Sequence, residues 1–132
     1  MKKKNFKKLW ITLSIIFAIL IVFVGGMVIY LSLNPPVELS IENVDFTTIS
    51  DGNHRGYADN GIIQVSVSVT VADGRVTDVE ILEHRNGLGG SAEAITEMII
   101  DEQSLDVDVI SSATYSSNTI LKAIENALLG AE

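Results

Sequence analysis

From Ile63 to Leu82 the chain reads IQVSVSVTVADGRVTDVEIL, and this stretch decides the fold. Apolar and polar residues alternate before Asp73-Gly74, which is the period-2 pattern of a strand with one buried face. Asp-Gly is a preferred pair for a two-residue hairpin turn. The stretch therefore predicts an antiparallel hairpin, with Val79 and Ile81 on one face of the return strand.

Two helices are predicted after the hairpin, because apolar residues recur there at helical spacing. Ser91 is a candidate N-cap for the first helix, and Gly130 is placed to close the second. The first apolar stripe is Ala92, Ile95, Met98 and Ile99, and the second is Ile120, Leu121, Ile124, Ala127 and Leu128. Between the helices, the apolar residues that lead back into the core are Val107, Val109 and Ile110. The predicted fold class is α+β, a small antiparallel sheet packed with two helices.

A transmembrane helix is predicted near the N-terminus. Residues 11–33 contain no charge, and at 1.5 Å per residue they can cross about 30 Å of hydrocarbon. Five lysines precede this run, which predicts a cytoplasmic N-terminus and an extracytoplasmic remainder. A cleaved signal peptide is the alternative, although the run is longer than usual for one and no small-x-small site is evident after it.

The chain is accordingly divided into four parts: a basic cytoplasmic segment (1–10), the membrane helix (11–33), an extracytoplasmic tether (34–49) and a folded domain (50–132). Asn34-Pro35-Pro36 ends the helix, because proline lacks the N–H that a helix needs. In the tether, Val37, Leu39 and Ile41 alternate with polar residues, as in a short strand or a stalk. Ser50 to Asn53 is a turn cluster at the start of the domain.

Composition excludes several functions. After Leu33 the chain has seventeen acidic and four basic residues, a net charge of −13, so nucleic acid is not an expected partner. Cysteine is absent from the sequence, which excludes disulfides and thiol redox chemistry. His54 and His84 lie far apart and have no metal-binding spacing, so no metal site is predicted. Any redox role therefore requires a bound cofactor.

The stretch from Asp108 to Ser117, DVISSATYSS, holds an acid and five Ser or Thr hydroxyls just before a predicted helix. Ser and Thr side chains accept hydrogen bonds from the free N–H groups at a helix start. The same N–H groups, with the helix dipole, also bind phosphate. The hydroxyls therefore either cap the helix or meet a phosphate, and for the residues alone capping is the commoner role.

This stretch resembles the small FMN-binding domains found in the sodium-translocating NADH:quinone reductase and in the Rnf complex. Their signature is Asp-x-x-Ser-Gly-Ala-Thr followed by hydroxyl residues. Asp108, Ser111, Ala113 and Thr114 match it, and Ser112 stands where the family has Gly. The run Asp51-Gly-x-x-x-Gly56-Tyr57 is similar to the family's Asp-Gly-x-Tyr-x-Gly in a loosened form. In that family the final Thr carries FMN through a phosphoester bond, installed by an FAD:protein FMN transferase.

The resemblance implies a role for each matching residue. Thr114 would be the attachment point, Asp108 a determinant for the transferase, and Ser111 and Ser112 hydrogen-bonding neighbours. Tyr115 would pack beside the flavin or shield the helix start. The glycine-containing loop after the hairpin would also lie near the flavin or be an ordinary loop, and its candidate residues are His84, Arg85, Gly87 and Gly89. His84 and Arg85 could hold the phosphate or the electron-rich edge of the ring.

The implied function is that of an extracytoplasmic, membrane-anchored flavoprotein that relays electrons between the membrane and unidentified redox partner proteins. It would be a carrier more than a stand-alone enzyme. A non-redox binding or interaction module on the same fold is the alternative, because fold does not determine function. A hydrolase is disfavoured, since the chain has no Gly-x-Ser-x-Gly motif and no pattern that brings His84 to a particular serine.

The predicted orientation can be tested by adding protease to intact cells. Because the lysine-rich end should stay inside, we expect the acidic domain to be digested while residues 1–10 remain protected. An epitope at each end, followed by immunoblotting, reports which part survives. Digestion of the lysine-rich end alone would show that the protein has the opposite orientation in the membrane.

Overall fold

The computed structural model describes residues 3–85 and 90–130, which belong to two compact units, Met1–Pro35 and Pro36–Glu132. The first unit contains α1 (Lys3–Leu33). Within this helix, the 28 residues Phe6–Leu33 form a stretch that is long and apolar enough to cross a membrane. A signal sequence has the same property. At its end the N–H and the side-chain amide of Asn34 both donate to the carbonyl of Tyr30, at 3.0 and 3.1 Å.

The second unit is an α+β domain, which confirms the predicted fold class. Its elements are a 3₁₀ turn (Phe46–Thr48), β1 (Gly52–Asp59), β2 (Gln64–Ala72), β3 (Arg75–Arg85), a second 3₁₀ turn (Gly90–Ala94), α2 (Ile95–Glu102) and α3 (Thr114–Leu129). The strands form an antiparallel sheet in the order β1-β2-β3. Helix α3 packs on β1 and β2, and α2 packs on β3. The core lies between the sheet and these two helices.

The predicted hairpin is confirmed at its turn. Ala72 pairs with Arg75, and the two residues between them both have positive φ, 52° for Asp73 and 70° for Gly74. This is the backbone of a type I′ turn, which Asp and Gly tolerate and whose twist matches that of the flanking strands. Two local residues therefore set the pairing of the longest strands in the domain.

Strand β3 is longer than the predicted return strand, which ended at Leu82. It extends to Arg85, so His84 and Arg85 lie in the strand and not in a loop. Register shifts leave Thr77 and Leu82 without a partner in β2. Because each extra residue reverses the alternation of side chains, His84 comes to lie opposite the fully buried Val65, on the face that the helices cover.

Strand β1 was not predicted, because it carries little apolar alternation. It begins at Gly52, so the last two residues of the predicted turn cluster belong to the strand. One of them, Asn53, pairs with Thr70. Its buried residues are the small Gly56 and Ala58. A Cβ added at Gly56 would collide with backbone atoms of residues 123 and 127 in α3. Close approach of a helix backbone therefore buries the strand at Gly56.

The segment predicted as a tether packs on the domain for most of its length. The compact unit begins at Pro36, and Phe46 is part of the core. Leu39, Ile41 and Val44 are partly buried against that core. These apolar side chains therefore add the segment to the folded unit, although no strand forms there.

Predictions for the helices are confirmed in part. All members of the two apolar stripes are buried except Met98, which is partly buried. Gly130 ends α3 with a φ of 68°. Ser91 is not an N-cap: it lies inside the second 3₁₀ turn, and the residue before α2 is Ala94, which makes no capping bond. Val109 was also wrongly placed in the core, since it is 37% exposed.

Gly56→Ala should test the contact between β1 and α3. Overpacking costs about 1–3 kcal/mol where side chains can shift, and we expect a loss of unfolding free energy at or above the top of that range, because backbone atoms block the new methyl group. Urea denaturation followed by circular dichroism measures this loss. Gly90→Ala is the matched control, since its Cβ would meet nothing within 4 Å. Equal stability of the two variants would contradict the close contact.

Candidate functional site

The start of α3 leaves backbone donors available for an anion. Thr114 is the first residue of the helix, and the preceding Ala113 makes no side-chain capping bond. Within the described residues, no hydroxyl of the 108–117 stretch accepts a hydrogen bond from a first-turn N–H. The interpretation that these hydroxyls cap α3 is therefore wrong. The first N–H groups of a helix lack intrahelical acceptors and attract phosphate.

The residues predicted to surround the attachment point lie at the surface. Ala113 is half-buried, and the exposed members of the motif are Asp108, Ser111, Ser112, Thr114 and Tyr115. In the part of the chain that the structure describes, the side chains of Asp108, Ser111, Ser112 and Thr114 make no hydrogen bond. These side chains are therefore open to solvent.

The later hydroxyls of the stretch are buried and structural. Ser117 is fully buried, and its Oγ accepts a hydrogen bond from the N–H of Ile110 at 3.2 Å. The N–H of Ala113 donates to the carbonyl of Ile110, and the N–H of Ser117 donates to the carbonyl of Ala113, each at 2.8 Å. These bonds hold the loop in front of α3 in one conformation.

His84 joins three parts of the domain beneath this loop. Its side chain is only 7% exposed. Nε2 lies 3.2 Å from Oγ of Ser116 in α3, and Nδ1 lies 3.4 Å from Oε1 of Glu93 in the second 3₁₀ turn. Serine, histidine and glutamate thus come together as in a hydrolase, but Ser116 is 3% exposed, so its oxygen cannot reach a substrate. The arrangement positions the first turn of α3.

Of the other candidates in the β3–α2 connection, the structure describes Arg85. Arg85 is exposed, and its Nε donates to Oε1 of Glu83 at 2.6 Å. Its charge is already paired along the edge of the sheet. Gly87 and Gly89 lie outside the described residues.

A cleft of about 350 Å³ opens beside Thr114. Ligand pockets are typically about 300–1,000 Å³, so its volume is at the small end of that range. One wall comes from the segment after the proline pair, and the opposite wall comes from the first turns of α3. The other lining residues are Val37, Glu38, Leu39, Asn60, Tyr115, Asn118 and Thr119. The cleft therefore offers an aromatic ring, apolar walls and amide groups next to the candidate hydroxyl.

The turn at the end of β1 contributes one lining residue of the cleft, Asn60. Oδ1 of the buried Asn60 accepts hydrogen bonds from the N–H groups of Ile62 and Ile63, at 3.0 and 2.8 Å. Its carbonyl accepts a bond from the N–H of Val37 at 2.8 Å. One residue therefore shapes the turn and also fixes the start of the opposite wall.

Hydrogen bonds from the same turn stabilise the charged form of the Asp59 side chain. The N–H of Gly61, 2.7 Å from Oδ1, and then the amide of Gln64 lower the pKa of Asp59 below its usual value. Desolvation first, and then the hydrogen bond to Asp59, raise the pKa of Tyr57. Since the pKa of Asp59 is depressed on folding, its contribution to stability is present at neutral pH and is lost only as the pH falls through its folded pKa.

Sequence reasoning missed the residues that come from outside the motif. Asn118 had a usable signal, because it is four residues after Thr114 and so lies on the same face of α3. Asn60 and residues 37–39 had none, since chain folding brings them to α3 from more than fifty residues away.

Serine fits at the position where the resembling family has glycine. Positive φ occurs at non-glycine residues 73 and 103 of the described chain, so Ser112 has no left-handed backbone. Its side chain is exposed. Glycine is therefore not required here for backbone conformation.

The chain matches a known protein family and is similar in sequence to known proteins. Residues 56–129 match the family described as the FMN-binding domain. The chain is 31% identical over 83 residues to an uncharacterized protein of Treponema pallidum (strain Nichols), covering 61% of this chain and 23% of that protein. It is 30% identical over 82 residues to an NADH:acrylate oxidoreductase of Vibrio harveyi, covering 60% of this chain and 8% of that protein. The chain thus spans less than a quarter of either relative.

Ser112→Gly should leave the FMN content of the protein unchanged, because the backbone at this position does not need glycine. Glycine adds freedom to the unfolded chain, so we expect unfolding free energy to fall by about 0.4–1 kcal/mol. Flavin absorbance per protein and urea denaturation measure the two effects. A large rise in FMN content would show instead that Ser112 limits loading.

Proposed function

Because this chain belongs to the FMN-binding domain family, we propose that it is a membrane-anchored electron carrier whose FMN is linked covalently to Thr114. FMN is its cofactor, and an apolar helix precedes the FMN-binding domain. The covalent bond, the electron relay and the orientation across the membrane are the proposal. The exposed, unbonded hydroxyl of Thr114 at the uncapped start of α3 is the observation that carries it.

The donors around Thr114 fit an FMN phosphate. First-turn N–H groups and the helix dipole favour a negative group at this place. The hydroxyl of Thr114 would lose its proton and form the oxygen–phosphorus bond, while AMP leaves from the FAD used by an FAD:protein FMN transferase. The exposed Asp108, six residues before Thr114, would be read by that enzyme.

The cleft beside Thr114 fits a flat ring that is partly apolar and partly polar. Tyr115 offers an aromatic face, and Val37 and Leu39 offer apolar contacts on the other wall. Asn118 brings an amide group that can donate or accept hydrogen bonds, while the amide oxygen of the buried Asn60 is used by the turn that it shapes. These residues would orient the ring and exclude part of the water around it.

The redox role follows from the cofactor and the setting. When bound, the isoalloxazine ring accepts and releases one or two electrons, while the protein supplies attachment, orientation and tuning. Similarity to a protein named NADH:acrylate oxidoreductase supports electron transfer as the use of this flavin. The net charge of −13 after α1 favours partner proteins with cationic surfaces.

An outward-facing domain explains why a covalent bond would be useful. The lysines before the apolar run favour an N-terminus inside the cell, with the domain outside. A dissociating cofactor would be lost there. A phosphoester to Thr114 prevents that loss without using any buried group of the domain.

Thr114→Ala should abolish covalent FMN and leave the fold intact. The parent, produced with an active FMN transferase, should be heavier than its sequence by one FMN less one water and should stay fluorescent after denaturation. Thr114 is exposed and makes no hydrogen bond within the described residues, so its loss should change unfolding free energy by no more than about 0.5 kcal/mol. Intact mass spectrometry and circular dichroism measure the two properties.

Ser50→Ala is the matched control, since it removes an exposed hydroxyl that lies outside the motif and should keep the added mass. A parent without added mass, despite an active transferase, would refute the covalent bond. Added mass on Thr114→Ala would move the attachment to another residue.

A further inference from the structure

Glu125 of α3 is a carboxylate in the interior of the domain. Its side chain is only 4% exposed. A buried charge is costly unless it is paired and hydrogen-bonded. Its two oxygens have different partners: Oε1 accepts from Nζ of Lys122 at 2.9 Å, and Oε2 accepts from the N–H of Glu42 at 3.2 Å. The buried charge thus binds backbone that is 83 residues away in the sequence.

Lys122 of α3 also binds the same segment. Its Nζ donates to the carbonyl of Ser40 at 3.0 Å as well as to Glu125. Lys122 and Glu125 are one turn apart on α3, so together they hold two backbone groups, the carbonyl of residue 40 and the N–H of residue 42. We call this pair the α3 clamp.

The segment held by the α3 clamp is a wall of the cleft beside Thr114. Val37, Glu38 and Leu39 line that cleft. The start of the segment is fixed by the bond from the N–H of Val37 to the carbonyl of Asn60, and its end is fixed by the clamp. Residues 37–42 are therefore tied at both ends, across the cleft from α3.

We propose that Lys122 and Glu125 are positioning residues that hold residues 37–42 as the outer wall of the flavin cleft. This inference rests on the proposed function. The clamp sets the width of the cleft and therefore the fraction of the flavin ring that solvent reaches. Neither residue touches the attachment hydroxyl, so attachment and shielding of the flavin are separate tasks of α3: its first residue bonds FMN, and its third and fourth turns hold the wall.

A merely structural role of the ion pair makes a different prediction. Loss of a general stabilising contact would reduce protection from hydrogen exchange across the whole domain, including β2. Loss of the clamp should release residues 37–42 and leave β2 protected. The two roles are therefore separated by where exchange accelerates.

The experiment uses the full chain and two conservative variants. Lys122→Met keeps the length of the side chain but removes both hydrogen bonds from Nζ. Glu125→Gln keeps an acceptor for the N–H of Glu42 but removes the charge that holds Lys122. Glu97→Gln is the matched control, because it removes an exposed carboxylate from the first turn of α2. Each variant is produced with an active FMN transferase and also in a Thr114→Ala background that lacks the attachment hydroxyl.

We expect amide exchange in residues 38–42, where the N–H of Glu42 donates to Glu125, to accelerate by on the order of fivefold in Lys122→Met, which corresponds to the loss of a typical hydrogen bond. The effect should be smaller in Glu125→Gln and absent in Glu97→Gln, with β2 unchanged in all three. In the flavin-loaded proteins, iodide should quench flavin fluorescence more strongly in the same order. The added FMN mass should be unchanged, because Thr114 is intact.

Unchanged exchange in residues 38–42 of Lys122→Met would overturn the proposal, and so would faster exchange there without stronger iodide quenching. Uniform loss of protection, including β2, in a variant that circular dichroism shows to be folded would also overturn it, because that is the result expected of a merely structural ion pair. A single variant that does not fold is replaced by a second one. The double variant Lys122→Met/Glu125→Gln then decides by the same measurements, because it leaves no unpaired buried charge. A parent without flavin would defeat the proposed function alone, and exchange in the Thr114→Ala background would still test the clamp.

Discussion

The contact between the backbones of β1 and α3 at Gly56 is the constraint on which the site depends. No side chain separates the strand from residues 123 and 127 of the helix. The side-chain amide of Asn126 also donates to the carbonyl of Tyr57 at 2.8 Å, which locks the helix along the strand. Because strand and helix cannot slide, the end of β1 at Asn60 is held beside the first turns of α3. The cleft forms where these two elements continue past their contact.

The polar side chains around the site form two groups, those that are buried and hydrogen-bonded and those that are exposed. Ser116, Ser117, His84 and Glu125 are buried and bound to other parts of the protein. Among the described residues, no buried side-chain nitrogen or oxygen lacks a hydrogen-bond partner. The hydroxyl of Thr114 has no such role, although it lies two residues before Ser116. A loop held by hydrogen bonds therefore presents a hydroxyl that makes no hydrogen bond within the described residues, and attachment of a cofactor there would break no bond that the fold needs.

The parts of the protein that line the cleft differ in how extensively they are packed into the core of the domain. Helix α3 and the β1–β2 turn belong to the sheet-and-helix core. The wall of residues 37–42 forms no strand or helix, and it is held by hydrogen bonds at its two ends and by Leu39 and Ile41 against the core. A wall of this kind can change its protection from solvent while the core stays folded, because local stability follows local contacts. Under the proposed function, the exposure of the flavin to solvent would therefore be tuned without a change in the fold.

The sequence by itself determined the features that depend on neighbouring residues. Asp73-Gly74 specified the hairpin turn, the apolar stripes specified the helix faces, the uncharged run specified α1, and the motif around Thr114 identified the family. Only the tertiary structure decided the inward position of His84, the burial of β1 and the cleft wall, because each depends on partners remote in the chain. The extra residue Leu82 in β3 turns His84 inward, Gly56 is buried by a helix some seventy positions later, and Glu42 meets Glu125 across 83 residues. Local periodicity reports which face of an element is apolar, but it carries no record of which distant backbone group will meet it.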